Sequence, residues 1–289
     1  QPNLDRACVK CRNPDVYAAR LNLCGDHGTM YSFGYLGLIM RNQVYDGRNL
    51  AESDWPPYAR GSGGSPLMKK IDGSHHGVTV SERDRTMIMQ WLDASAPYAG
   101  TYGALGCGFI VASKSGIGYK GSWWYAANKG SAEAVKNRCT ACHVTPNTIS
   151  DGRRITFNDP KDPRSKRTAQ TSLHTLYNLT RPEKSLYLLA PLAKAAGGLG
   201  LCTNGVGKAV FESTKDPDYQ KLLAMVKEAK AQHEAEPRFD QKNFCPNPEY
   251  IREMKRYGIV PKDCDPKKTK LNPYELDRLY WALDWTELK

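Results

Sequence analysis

The chain has 289 residues, 40% hydrophobic and 25% charged, which suffices for about two ordinary cores and is too mixed for a low-complexity segment. No apolar run approaches the roughly 18–20 residues that span a bilayer, so no transmembrane segment is expected. The formal net charge is +11, with the basic residues scattered apart from a denser stretch at 161–167. That balance suits a solvated surface or docking to an acidic partner. No recognition motif supports nucleic-acid binding.

In chain order, the first feature is Leu4 to Arg12, a short helical lead-in that ends in Cys8-x-x-Cys11-Arg12. Ser65-Pro66-Leu67-Met68 then opens a short helix, and His75-His76 follow a glycine turn. A helix is predicted over 82–94, with Ser81 and Asp84 as a capping box and Met87, Ile88, Trp91 and Leu92 on one face. Residues 97–108 hold four glycines and little periodicity, so a domain boundary falls there, dividing 1–106 from 107–289.

Trp123-Trp124-Tyr125 is an aromatic cluster that either walls a pocket or fills a core. A short helix over 131–136, capped by Ser131, leads into Cys139-Thr140-Ala141-Cys142-His143. Residues 146–168 read as a loop, and Thr180 as the cap of a following helix. Three further helices share one start device: Asp216-Pro217, Asn247-Pro248 and Asn272-Pro273 each place a capping side chain before a proline that needs no N–H. They are predicted over about 217–235, 248–257 and 273–284, with Gly258 stopping the second. Strand signals are few, so the fold is expected to be mainly α.

The pattern Cys139-x-x-Cys142-His143 is the attachment signature of a c-type haem. Two thiols at this spacing match the two vinyl groups of the porphyrin, and the histidine that follows serves as proximal ligand to the iron. A redox dithiol or half of a zinc site is the alternative. Covalent haem attachment takes place outside the cytoplasm. No leader precedes Gln1, so an exported, periplasmic or otherwise extracytoplasmic chain with its leader removed is expected. The order of features occurs twice: C-x-x-C helix, loop, Ser-Leu helix, loop, long helix. This reads as two tandem cytochrome c-like domains, the first with a degenerate haem motif.

The stretches 65–102, 177–202, 210–222 and 250–259 resemble the C-terminal, haem-bearing part of the hydrazine synthase alpha subunit and related planctomycete-type cytochromes. The resemblance implies two haem-binding modules. The second matches in full at Cys139, Cys142 and His143. The first departs, with Arg12 in place of the histidine and with Cys24 and His27 where relatives usually lack thiol and imidazole. The large N-terminal β-propeller region of that family is absent from the sequence.

Cys8, Cys11, Cys24 and His27 have the spacing of a Cys₃His zinc set. Two other readings stay open: a second, unusual haem on Cys8 and Cys11 with iron ligated by His27, His75 or His76, and disulfides. Arg12 stays protonated and is no ordinary iron ligand. Among the remaining cysteines, Cys107, Cys202, Cys245 and Cys264, the pair Cys245–Cys264 is the most local disulfide. For the sixth ligand of the second haem, His174 stands ahead of Met254, with an open site third. Met225 reads as core and His233 as exposed.

The expected function is single-electron transfer, alone or as a subunit of a larger redox complex. The alternatives are a catalytic haem module acting on a small nitrogen or oxygen species, and a structural cytochrome-derived scaffold. A redox partner protein is expected, and whether the chain is itself an enzyme is left open.

Overall fold

The computed structural model describes residues 1–28, 31–47, 54–99, 102–105, 129–140, 176–235 and 244–283. The protein is mainly helical. Extended pairing among the described residues is confined to isolated bridges, such as Asp72 with Thr79 and Leu192 with Phe211. The main helices are α1 (Pro2–Ala7), α2 (Phe33–Met40), α3 (Glu82–Asp93), α4 (Lys129–Arg138), α5 (Pro217–Ala235), α6 (Pro248–Arg256) and α7 (Pro273–Trp281).

The predicted starts are present. Ser81 Oγ accepts the Asp84 N–H at 3.1 Å at the head of α3. Asp216, Asn247 and Asn272 accept backbone N–H groups at the heads of α5, α6 and α7, at 2.8, 2.9 and 3.1 Å. Each satisfies donors that the first helical turn leaves open, a stabilisation of about 1 kcal/mol. Gly258 follows α6 with φ of +70°, which ends the helix at little steric cost.

Other expectations are corrected. Helix α4 begins before Ser131, so Ser131 is a fully buried residue of its first turns and not a cap. Thr180 caps nothing; its Oγ1 accepts the His27 N–H at 2.8 Å, and Asn178 Oδ1 accepts the N–H groups of Thr180 and Arg181. On α3, Leu92 is buried and Ile88 and Trp91 pack on the core, while Met87 is 51% exposed. His233 is buried, not exposed. Helix α2 was not anticipated, because FGYLGLIM is apolar nearly all round and shows no helical contrast; Ser32 Oγ starts it by accepting the Tyr35 N–H.

Among the described residues three hydrophobic cores form. One, within 1–97, gathers Leu23, Leu38, Leu67, Ile71 and Leu92. A second, within 134–229, gathers Val135, Leu188, Phe211, Leu222 and Val226. A third gathers Ala104, Tyr250, Ile251, Met254, Val260 and Leu276.

The chain falls into two compact units. One unit takes Gln1–Pro97 with Trp123–Lys230, and the other takes Tyr98–Ser122 with Ala231–Lys289. Within the first unit, the Asp26 carboxylate joins the two stretches. It accepts from Asn178 Nδ2 at 2.6 Å and from Arg181 Nε and Nη2 at 2.8 and 2.6 Å. The Leu179 N–H adds a bond to the His27 carbonyl at 2.8 Å. Charge-assisted bonds of this kind contribute roughly 1.5–3 kcal/mol each where water is largely excluded, and the Asp26 side chain is only 12% exposed. No helix among the described residues is long and apolar enough to cross a membrane.

Candidate functional site

Helix α4 presents Ser131, Ala134 and Val135 to the core, a stripe at i, i+3 and i+4 spacing. The Cys139 N–H donates to the Val135 carbonyl at 2.9 Å, so the helical register carries one step beyond the helix. That register sets Cys139 four residues past Val135, on the same face, where it packs half-buried against the second core. Arg138, its neighbour, clamps this end. Its Nη2 donates to the Val210 carbonyl at 2.7 Å and to Asp216 Oδ2 at 3.0 Å. Its guanidinium lies 5.1 Å from the centre of the Phe211 ring. The end of α4, which carries the first thiol, is thereby fastened to the start of α5.

Beneath Cys139 the core contains two aromatic pairs, Phe211–Tyr219 and Tyr177–Tyr187, both edge-on with centres 5.7 and 5.2 Å apart. The Tyr187 hydroxyl is fully buried and has no hydrogen-bond partner among the described residues. Burial pushes its ionisation well above the ordinary phenol range, and the nearby Tyr177 and Cys139 groups push it further the same way. A buried hydroxyl without an acceptor costs about 1–3 kcal/mol. It therefore calls for an acceptor close to Cys139 that the described residues do not supply.

Cys142, His143 and His174 lie outside the described residues. Met254 lies in the third core, buried among Tyr250, Ile251, Val260 and Leu276. Met225 is buried in the same core against which Cys139 packs.

At the first C-x-x-C the four sequence candidates differ in their surroundings. Cys8 is half-buried against the first core, and burial raises its thiol pKa while Arg12 lowers it. Cys11 is exposed. Cys24 is buried beside Asp26 and Arg181, and its thiol pKa is raised mainly by burial. His27 contributes its backbone N–H and carbonyl to the link with Thr180 and Leu179. Among the described residues no three His, Cys, Asp or Glu side chains converge as a metal ion requires.

His75 and His76 pack edge-on with ring centres 4.5 Å apart. Slight burial, Lys70, His76 and Arg12 together hold the His75 pKa below the usual imidazole value. Cys245 and Cys264 are both free thiols, so the local disulfide is not formed; Cys245 Sγ instead points to the Pro266 carbonyl at 3.6 Å.

Sequence reasoning missed Tyr187, the Arg138 clamp and the Asp26–Arg181 link. A tyrosine inside the apolar run Leu186–Leu189 was the one local signal, since a buried phenol ordinarily has a partner. Compared with known proteins, the chain matches no family model, no curated protein and no solved structure.

Proposed function

We propose that this protein is a c-type cytochrome that transfers single electrons, alone or as a subunit of a larger redox complex. The observation that carries the reading is Cys139. It is the first residue of a C-x-x-C-H signature, held at the end of α4 over an apolar core and close to a buried hydroxyl that lacks an acceptor among the described residues. Cys139 and Cys142 would hold the haem through thioether links, and His143 would ligate its iron. The bound haem would supply a one-electron couple. The chain's own part is to anchor the attachment point through Arg138 and to keep water from the core through Phe211, Tyr177 and Tyr187.

The repeated order of elements supports two cytochrome-derived modules, of which the second carries the intact signature. The resemblance to the haem-bearing region of the hydrazine synthase alpha subunit belongs to the same reading, as does an extracytoplasmic location. The net charge of +11 supports an acidic redox partner.

The test is an intact mass together with a pyridine haemochrome spectrum of the purified chain. A mass raised by one covalent haem, with a c-type spectrum, is expected, and Cys139→Ser with Cys142→Ser abolishes both. Colourless protein with the mass of the bare chain overturns the reading. A six-coordinate, low-spin iron sustains electron transfer. A five-coordinate iron that binds carbon monoxide moves the assignment to the catalytic alternative.

A further inference from the structure

A cleft with an internal volume of about 50 Å³ lies between the Pro14–Asn22 loop, helix α2 and residues 184–199, all within one compact unit. Among the described residues its lining includes three cations, Arg20, Arg41 and Lys184, and no acidic residue. The floor is apolar, with Phe33 and Leu189 buried and Leu199 beside them.

The polar groups converge on Tyr17. Its hydroxyl has no hydrogen-bond partner among the described residues and lies within electrostatic reach of both Arg20 and Arg41. Arg20 has no side-chain hydrogen bond or ion pair among the described residues, whereas Lys184 is engaged with Asp15 at 2.5 Å. The loop that presents them is held out of its relaxed shape: Tyr17, Ala19 and Arg20 have φ of 47°, 52° and 56°. This left-handed region is unfavourable for residues with a side chain. Arg41 Nη2 fixes the loop by donating to the Arg20 carbonyl at 2.6 Å.

We propose that this cleft binds a small organic carboxylate, with the carboxylate at Arg20 and Tyr17 and a short apolar body on Phe33 and Leu189. The volume sets the size. A water needs roughly 10–15 Å³ of such space, so the cleft takes a molecule about as large as three or four waters, such as butyrate. The guanidinium and the phenol supply donors suited to a carboxylate, and the floor distinguishes an alkyl acid from an inorganic anion. The site is separate from Cys139 and does not depend on the haem reading.

Calorimetric titration of the full chain with butyrate, acetate and inorganic phosphate tests it. Butyrate is expected to bind with Kd on the order of 1 mM, a plausible strength for so few atoms, and more tightly than acetate or phosphate. Arg20→Gln weakens butyrate at least about tenfold and Tyr17→Phe about threefold, as expected for the loss of one charged and one neutral hydrogen bond. Both side chains are at the surface of the cleft, and an unchanged circular dichroism spectrum and melting point confirm the fold of each variant. Absence of butyrate binding overturns the proposal. So does equal binding of phosphate and butyrate, or butyrate binding that neither substitution changes.

Discussion

Two stretches of this chain are built on one plan and differ at the position that matters for chemistry. In residues 1–97, α1 leads to Cys8, Ser65 precedes the 3₁₀ turn Pro66–Lys70, and α3 follows. In residues 129–230, α4 leads to Cys139, Ser185 precedes the short helix Leu186–Leu189, and α5 follows. Ser65 and Ser185 are both buried, and each hydroxyl accepts a backbone N–H, from Tyr45 and Asn178, at 2.9 Å. In both stretches the first cysteine is half-buried against its own core.

An arginine one or two residues before that cysteine reaches 78 residues along the chain to an aspartate at the head of the long helix: Arg6 to Asp84 and Arg138 to Asp216. These local features recur in both stretches, while Cys11 is followed by Arg12 and Cys142 by His143. What holds the scaffold together is separable from what would bind iron.

Four experiments break or sharpen this comparison, in decreasing order of effect. Phe211→Ala empties the centre of the second core and removes the surface under Arg138; a loss of about 3–5 kcal/mol is expected in urea unfolding. The larger part of the loss should appear as opening of residues 129–230 by hydrogen exchange, with residues 1–97 opening less. Equal opening of both stretches would mean they share one cooperative core.

Asp26→Ala strips Asn178 and Arg181 of their shared acceptor and leaves a guanidinium without its counter-charge. A loss of about 3 kcal/mol is expected. Its signature is separation of the two stretches, read as faster proteolysis in the loop around Asn178–Arg181.

The two arginine clamps differ in depth. Arg6 is 61% exposed, and Arg6→Ala should cost less than about 0.5 kcal/mol. Arg138 is 34% exposed, bonds a carbonyl as well as Asp216, and covers Phe211; Arg138→Ala should cost about 1–2 kcal/mol. Equal effects on the melting temperature would contradict the view that the second stretch is the more firmly built of the two.

The smallest effect is one of pH. The Cys24 thiol is raised above its unfolded value, so its share of stability is complete below about pH 8.5 and is lost as pH rises through the folded value. Cys24→Ala should flatten that alkaline decline in a pH series of unfolding curves. In native protein, iodoacetamide should modify exposed Cys11 before half-buried Cys8, and Cys24 last.

The starts of α3, α5, α6 and α7, the stop at Gly258 and the C-x-x-C-H signature were legible in the sequence. Each depends on groups a few residues apart, whose meeting is dictated by backbone geometry. The helical lead-in to Cys139 was legible too, though its start was placed too late, because Ser131 has the chemistry of a cap and the position of a core residue. Four donors at zinc spacing were also visible, but spacing along a chain does not control what surrounds each side chain. Asp26 and Arg181, 155 residues distant in sequence, claim the surroundings of Cys24.

By itself, then, the amino-acid order determined a mainly helical chain and the chemistry available at Cys139-x-x-Cys142-His143. The tertiary structure alone decided that Asp26 joins the first stretch to the second, that Arg138 fastens the thiol-bearing helix, and that Tyr187 stands buried without an acceptor among the described residues. Those outcomes come from packing and charge pairing between residues tens to hundreds of positions apart, which no local pattern encodes.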